Sequence, residues 1–278
     1  MSTKLVGILN ITPDSFSDGG KFNSFEGALT HLKQMLEEGA DMIDIGAEST
    51  RPNHIPVSPE EEWKRLEKIL PAIIFEVKIF NQKSAKKVTT SIDTRHFFTA
   101  KKSYEAGIDI INDVSGLVDE KIIDLISKNN ITTILMHNSA IQSIAGAVIN
   151  RNLNLTAEIL KWAEDKISYL EKRGVKKSQL IFDVGIGFGK DSLQAVGILK
   201  NIDAYRRLDL PLYVGHSKKS FLDIIDFSDF YEAGEEFDRA EKTLVISKYL
   251  AKKNVDFIRI HDVARNLALI NSNSKKLS

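Results

Sequence analysis

VTTSIDTRHFFTAKKSYEAGIDIINDV, residues 88–114, opens and closes on short strand-like runs at 88–93 and 109–114, with a helical stretch between them. The same unit recurs outward in both directions. Upstream lie the runs 4–9 (KLVGIL) and 41–46 (DMIDIG); downstream lie 132–137 (TTILMH), 180–185 (LIFDVG), 212–217 (LYVGHS) and 257–262 (FIRIHD). Several of them lack clean alternation and are nearly all apolar, as expected of parallel strands covered by helices. Ala28, Leu29, Leu32, Met35 and Leu36 recur at helical spacing and place a helix from about Ser24. Ser58-Pro59-Glu60-Glu61 reads as a helix start with an N-cap, a proline at the first position and a capping-box acid. Trp63, Leu66, Ile69, Leu70 and Ile73 then form its apolar stripe, and further helices are expected over 154–173, 191–208 and 238–253.

Eight such units in 278 residues match a barrel, which needs roughly 250 residues. An open doubly wound sheet carries about five to seven strands and a point where the strand order reverses. The expectation is therefore a single (β/α)8 TIM-type barrel domain over residues 1–278.

Composition narrows the function. Lys+Arg and Asp+Glu both total 38, for a net charge of +0, so the basic excess of a nucleic-acid binder is missing. No run approaches the ~20 apolar residues of a membrane span, and the N-terminus lacks a signal peptide's apolar region. A cytoplasmic protein without membrane or nucleic-acid partners is expected. The absence of cysteine excludes disulfides, thiolate zinc sites and cysteine nucleophiles.

In a TIM-type barrel the active site lies at the C-terminal ends of the strands. Those ends carry Asn10, Asp44, Asp93, Asn112, Asp113, His137, Asp183, Arg259, His261 and Asp262, with loops holding Thr12–Gly20, Glu48–Pro52, Gly185–Lys190 and Ser217–Ser220. Each such residue alone has a structural reading; an Asp after a strand commonly caps the next helix. Together they would make a mouth of acids, amides and cations suited to a polar, partly anionic substrate. Three other readings are weaker. GIGFGK (185–190) lacks the spacer and closing Ser/Thr of a P-loop. The six histidines include no pair at zinc-protease spacing. Ser217 has no Gly-x-Ser-x-Gly elbow.

Asn10–Gly19 (NITPDSFSDG) and Ile45–Pro52 (IGAESTRP) resemble the two loop signatures of the dihydropteroate synthases. SIDT (91–94), INDVSG (111–116), MH (136–137), GIGFGK (185–190) and RIHDV (259–263) follow in that family's order, and the resemblance spans residues 5 to about 270. It implies condensation of 6-hydroxymethyl-7,8-dihydropterin pyrophosphate with p-aminobenzoate, with Mg2+ as cofactor, in a monofunctional homodimer. It further implies that Asp93, Asn112, Asp183 and Lys219 hold the pterin, with Met136 on its ring face. Asn10, Arg51, Arg259 and His261 would meet the pyrophosphate, and Asn10 the metal. Phe16, Thr50, Arg51, Pro52, Phe188 and Ser220 would enclose p-aminobenzoate, the enclosure that sets sulfonamide sensitivity. Asp93, Lys219, Arg259 and His261 would carry the chemistry, with ionised Asp93 facing a pterin cation.

The chain departs from the family pattern at Val184 (usually Pro), Lys218 (usually Arg), Asn53 (commonly Gly) and Asn138–Ile141. A looser turn after Asp183 is the expected consequence of the first. Rival readings are a pterin methyltransferase, a catalytically silent pterin-binding paralogue and a generic phosphate-handling barrel. None of them needs the first-loop signature.

Overall fold

The computed structural model describes residues 3–12, 24–48, 56–138, 149–150, 153–225, 230 and 237–272. Eight parallel strands close into one barrel: β1 (Lys4–Asn10), β2 (Met42–Gly46), β3 (Thr89–Asp93), β4 (Ile110–Asp113), β5 (Thr132–Met136), β6 (Leu180–Asp183), β7 (Leu212–Gly215) and β8 (Phe257–Ile260). Closure is made by β1 against β8, with Val6 opposite Arg259, while the other edge of β1 sets Ile8 opposite Asp44. The helices are α1 (Ser24–Glu37), α2 (Pro59–Leu66), α3 (Ile69–Lys83), α4 (Phe97–Ala106), α5 (Glu120–Asn129), α6 (Leu155–Lys172), α7 (Ser192–Lys200), α8 (Arg239–Lys252) and α9 (Val263–Asn271). Among the described residues no helix is long and apolar enough to cross a membrane.

Two expected helices are divided. The stripe from Trp63 to Ile73 falls on α2 and α3, which break at Glu67–Lys68. Pro71 is the cause, since its ring would clash with the carbonyl four residues earlier, that of Glu67. The segment 191–208 is α7 followed by a 3-10 stretch, Ile202–Leu208. At the junction the Gly197 carbonyl accepts both the Asn201 backbone N–H (3.1 Å) and the Asn201 side-chain amide (2.9 Å), so the side chain caps the last regular turn. Ser58 caps α2 as expected by accepting from the Glu61 N–H, but the Glu61 carboxylate accepts from Arg65 instead of closing a capping box.

Side chains alternate across a strand, and in this barrel that period carries the interior from an apolar floor to a polar mouth. Val6, Met42, Ile110, Ile134, Ile181, Tyr213 and Phe257 form one buried cluster. Two residues further along β2, β4, β5, β6, β7 and β8 stand Asp44, Asn112, Met136, Asp183, Gly215 and Arg259. At the opposite end, aspartates cap the strands: Asp41, Asp109 and Asp256 accept the backbone N–H of Leu5, Thr90 and Leu212, each at 2.8 Å. The larger apolar core lies between barrel and helices.

Candidate active site

Asp44 is the hub of the mouth. It is fully buried, and a buried carboxylate is tolerated only when charged and polar partners compensate it. Its partners come from three strands. Arg259 Nε donates to Oδ2 (2.6 Å), Asn112 Nδ2 donates to both oxygens (3.2 and 3.3 Å), and Ser91 Oγ donates to Oδ1. Arg259 Nη2 also donates to Asp93 Oδ2 (3.1 Å), so one guanidinium bridges two carboxylates. Burial works against the guanidinium's charge, but Asp44 and Asp93 outweigh it and hold its pKa above the ordinary value. Asp93 is pushed upward, first by burial and then by Asp44, while Arg259 opposes the shift.

Asn112 turns its amide nitrogen to Asp44, and its Oδ1 is buried without a hydrogen-bond partner. Asp183 ends β6 and accepts the Gly185 N–H through Oδ1 (2.8 Å). Burial raises its pKa against the pull of that bond and of Lys219. Lys219 donates to the Ile186 carbonyl and stands 5.0 Å from the centroid of the Phe188 ring. Burial lowers its ammonium to about 8, with Asp183 acting to retain the proton. Gly215 lies between the two cations, with Lys219 Nζ and Arg259 Cβ each 3.9 Å from where a Cβ would stand, an ordinary contact distance.

The apolar part of the mouth is a cluster of Val114, Met136 and Phe188. Phe188 is held in it by a device built from GIGFGK. Lys190 Nζ donates to the carbonyls of Gly185 (2.8 Å), Phe188 (3.0 Å) and His137 (3.1 Å), tying the β5 and β6 ends together. Burial brings this ammonium down to about 7, and Asp183 works in the opposite direction. Gly185 lies at φ +66, and a Cβ there would meet the His137 carbonyl oxygen at 2.0 Å. The turn after Asp183 is thus closed by these bonds, and Val184 is fully buried in the core.

His261 Nδ1 lies 2.9 Å from Ser217 Oγ, which also accepts the His261 backbone N–H (3.3 Å). Ser217 therefore fixes the imidazole beside Arg259. Lys218 takes the left-handed region (φ +58) with its N–H on Thr243 Oγ1 (3.1 Å), and its side chain is exposed. Ser220 is exposed at the start of a four-residue 3-10 turn, Ser220–Asp223. The helix N-terminus expected there for a carboxylate is that short turn. Phe16, Thr50, Arg51, Pro52 and Asn53 lie outside the described residues, as do Ser139–Ile141. Where the second loop leaves the barrel, Glu48 pairs with Arg95 (2.9 and 3.0 Å) and accepts the Val57 N–H (3.3 Å).

Asn10, Asp93, Asn112, Asp183, Lys219 and Arg259 are all brought to the mouth. Asp44, Lys190 and Ser217 were visible at strand ends or in loops, but nothing in the sequence gave them partners. An acid inside the apolar run DMIDIG is a signal that a buried charge needs compensation. For magnesium, no group of three or more His, Asp or Glu is arranged to hold a metal among the described residues. Mg2+ asks for less, since it is commonly held by one or two protein oxygens plus substrate phosphates. Asn10 Oδ1 and Asp93 Oδ2 lie 3.8 and 3.7 Å from the point where a Gly46 Cβ would stand. Asn10 Oδ1 is one such oxygen at the mouth, whereas Asp93 Oδ2 already accepts from Arg259 Nη2 (3.1 Å).

The family model for pterin-binding enzymes matches residues 6–261. The dihydropteroate synthase of Clostridium beijerinckii is 37% identical, over 95% of this chain and 90% of its own length. Among solved structures, dihydropteroate synthase from Anaplasma phagocytophilum with bound 6-hydroxymethylpterin-monophosphate is 37% identical, with a TM-score of 0.83 and 97% of each chain covered. The Xanthomonas albilineans enzyme with 4-aminobenzoic acid is 30% identical, with a TM-score of 0.80, and covers 96% of this chain and 91% of its own.

Proposed function

The chain belongs to the dihydropteroate synthase family, and on that premise we propose that it condenses a 6-hydroxymethyl-7,8-dihydropterin diphosphate with p-aminobenzoate. The bond from the pterin methylene carbon to the diphosphate oxygen breaks, and its electron pair leaves with diphosphate. The arylamine lone pair forms the new C–N bond, and the amine proton passes to solvent or diphosphate. The observation that carries the reading is the Asp44–Arg259–Asp93 bridge beside the unpartnered Asn112 Oδ1 and Asp183.

Asn112 Oδ1 and Asp183 offer acceptors to the donor-rich amino-pyrimidinone edge, while Lys219 offers a donor and positive charge. Met136, Val114 and Phe188 give the ring an apolar surface. Arg259 and His261 would receive the charge that grows on departing diphosphate. Asp93 is drawn toward its protonated form by burial and Asp44. Positive charge developing on the pterin favours its ionised form, so the stabilisation is stronger at the transition state than in the bound substrate. Mg2+, held through Asn10 and the diphosphate, would neutralise leaving-group charge. Phe188 is assigned to p-aminobenzoate by resemblance, and its packing against Met136 supports a place where the two substrates meet.

The test is release of diphosphate by purified protein given both substrates and Mg2+. Release that requires p-aminobenzoate, yields dihydropteroate, stops with a chelator and falls at least a hundredfold in Asp183→Asn supports the reading. Pterin binding without product would replace it with a pterin-binding module.

A further inference from the structure

The mouth holds a fully buried carboxylate for which the proposed chemistry has no direct use. Asp44 faces the barrel interior on β2, one step above the apolar floor. Both of its oxygens are taken: Oδ1 by Ser91 Oγ and Asn112, Oδ2 by Asn112 and Arg259. We infer that Asp44 is a positioning residue that sets the hydrogen-bonding polarity of the pterin pocket, by locking the Asn112 carbonyl toward the ligand and by holding Arg259 at the diphosphate. The inference rests on the synthase reading and deepens it.

The chemistry of an amide beside a carboxylate makes the lock one-way. A carboxylate only accepts, so the amide must present Nδ2 to it; the flipped rotamer would set Oδ1 against two carboxylate oxygens. With Nδ2 committed to Asp44 at 3.2 and 3.3 Å, Oδ1 is left on the other side, where it is buried and without a partner. A buried acceptor without a partner costs free energy, and a ligand N–H is the group that would relieve it. Without Asp44 the amide has no preferred sense, and half of its rotamers would present donors to a donor-rich pterin edge.

The same carboxylate fixes the cation. Arg259 gives Nε to Asp44 and one Nη2 proton to Asp93, which uses two of its five N–H donors and defines the plane of the rest. Asp93 borders the mouth, with 11% of its side chain exposed, whereas Asp44 has none. Asp44 is therefore the anchor and Asp93 the member placed to respond to ligand. Asp44 is fully buried and both of its oxygens are bonded within the protein, so it acts through Asn112 and Arg259.

The experiment uses the full chain and two probes in calorimetry, 6-hydroxymethylpterin and inorganic diphosphate, together with the KM for p-aminobenzoate. Asp44→Asn should weaken both probes at least tenfold and leave the p-aminobenzoate KM within twofold. Asn112→Ala should weaken the pterin alone, and in the Asp44→Asn/Asn112→Ala double variant pterin affinity should fall no more than twofold below the worse single variant. Equal losses for pterin and p-aminobenzoate, or single-variant losses that multiply in the double, would overturn the inference. Should Asp44→Asn fail to fold, Ser91→Ala decides, since it removes one donor from Asp44 and leaves the mouth intact. A several-fold loss of pterin affinity with unmoved p-aminobenzoate KM supports the role, and unchanged pterin affinity refutes it. A wild-type protein that binds both probes yet makes no dihydropteroate would sink the synthase reading alone. The Asp44 assignment would then be judged on the two probes.

Discussion

Lys190 closes the GIGFGK run and directs its ammonium to three backbone carbonyls, in contrast to the phosphate-cradling lysine that such a run first suggests. Hydrogen bonds to a charged group contribute about 1.5–3 kcal/mol each, but removing the lysine also removes the cost of burying its charge. Lys190→Met is therefore expected to lower stability by a net of about 2 kcal/mol in urea unfolding. It should also weaken pterin binding several-fold, because Phe188 loses its hold. Unchanged pterin affinity in a folded variant would show that the clamp does not shape the pocket. Gly185 is a sharper case. Its φ is +66, and the His137 carbonyl oxygen lies 2.0 Å from the point a Cβ would occupy, so Gly185→Ala must move the loop that Lys190 holds. It is expected to cost on the order of 1–3 kcal/mol from backbone strain alone, read as a fall in the urea midpoint. That Gly185 packs against the His137 carbonyl has no mark in the run itself, because the two residues lie on different strands' ends.

Element boundaries follow local chemistry where a single residue decides them. Asp191 caps α7 through the Gln194 N–H (2.9 Å), and Gln194 returns a bond to the Asp191 N–H (3.0 Å). Gln194 Nε2 also donates to the Ile149 carbonyl (2.7 Å), so the cap ties the helix to the segment after β5. Asp191→Ala should cost about 1 kcal/mol, measurable as a lower thermal midpoint, and restoration by Asp191→Ser would identify capping as the cause. Pro71 shows the opposite case, in which the apolar stripe reads as one helix and the missing N–H and ring divide it into α2 and α3. From the first turn of α2 the buried Glu62 reaches the end of β3, where Thr94 Oγ1 donates to it (2.8 Å). Burial pushes Glu62 up to about 7, with Thr99 and Thr94 opposing. Helical periodicity alone carries no record of that contact.

At the scale of the whole molecule, burial of histidine makes stability depend on pH. His216 directly follows β7 with Nε2 on Ser247 Oγ (2.8 Å) and the Thr243 carbonyl (3.2 Å), and burial lowers its pKa to about 4. A folded-state pKa below the unfolded value means that the folded chain binds fewer protons. The stabilising contribution is therefore complete above about 6.5 and is lost as pH falls through 4. Linkage gives a loss of about 2 kcal/mol between pH 7 and pH 5 from this one residue. His137, edge-on to Trp162 at 4.8 Å between ring centroids and lowered to about 3 by burial, adds in the same direction. A His216→Asn variant should show a flatter fall in urea midpoint between pH 7 and pH 5; an equally steep fall would assign the effect elsewhere.

By itself the sequence determined the barrel and which described residues stand at its strand ends. Strand and helix periods are local, eight of them leave one economical closure, and residues such as Asp93, Asn112, Asp183 and Arg259 are placed at strand ends by counting. It also determined the family, through contiguous loop signatures. Tertiary structure alone decided who is bonded to whom. Asp44 and Arg259 are 215 residues apart and meet because β1 pairs with both β2 and β8. The sense of the Asn112 amide follows from Asp44, and the downward shift of Lys219 and the upward shift of Asp93 come first from burial in the closed barrel. Each depends on burial and on charges from other strands, and through-space electrostatics has no signature in the order of residues along a chain.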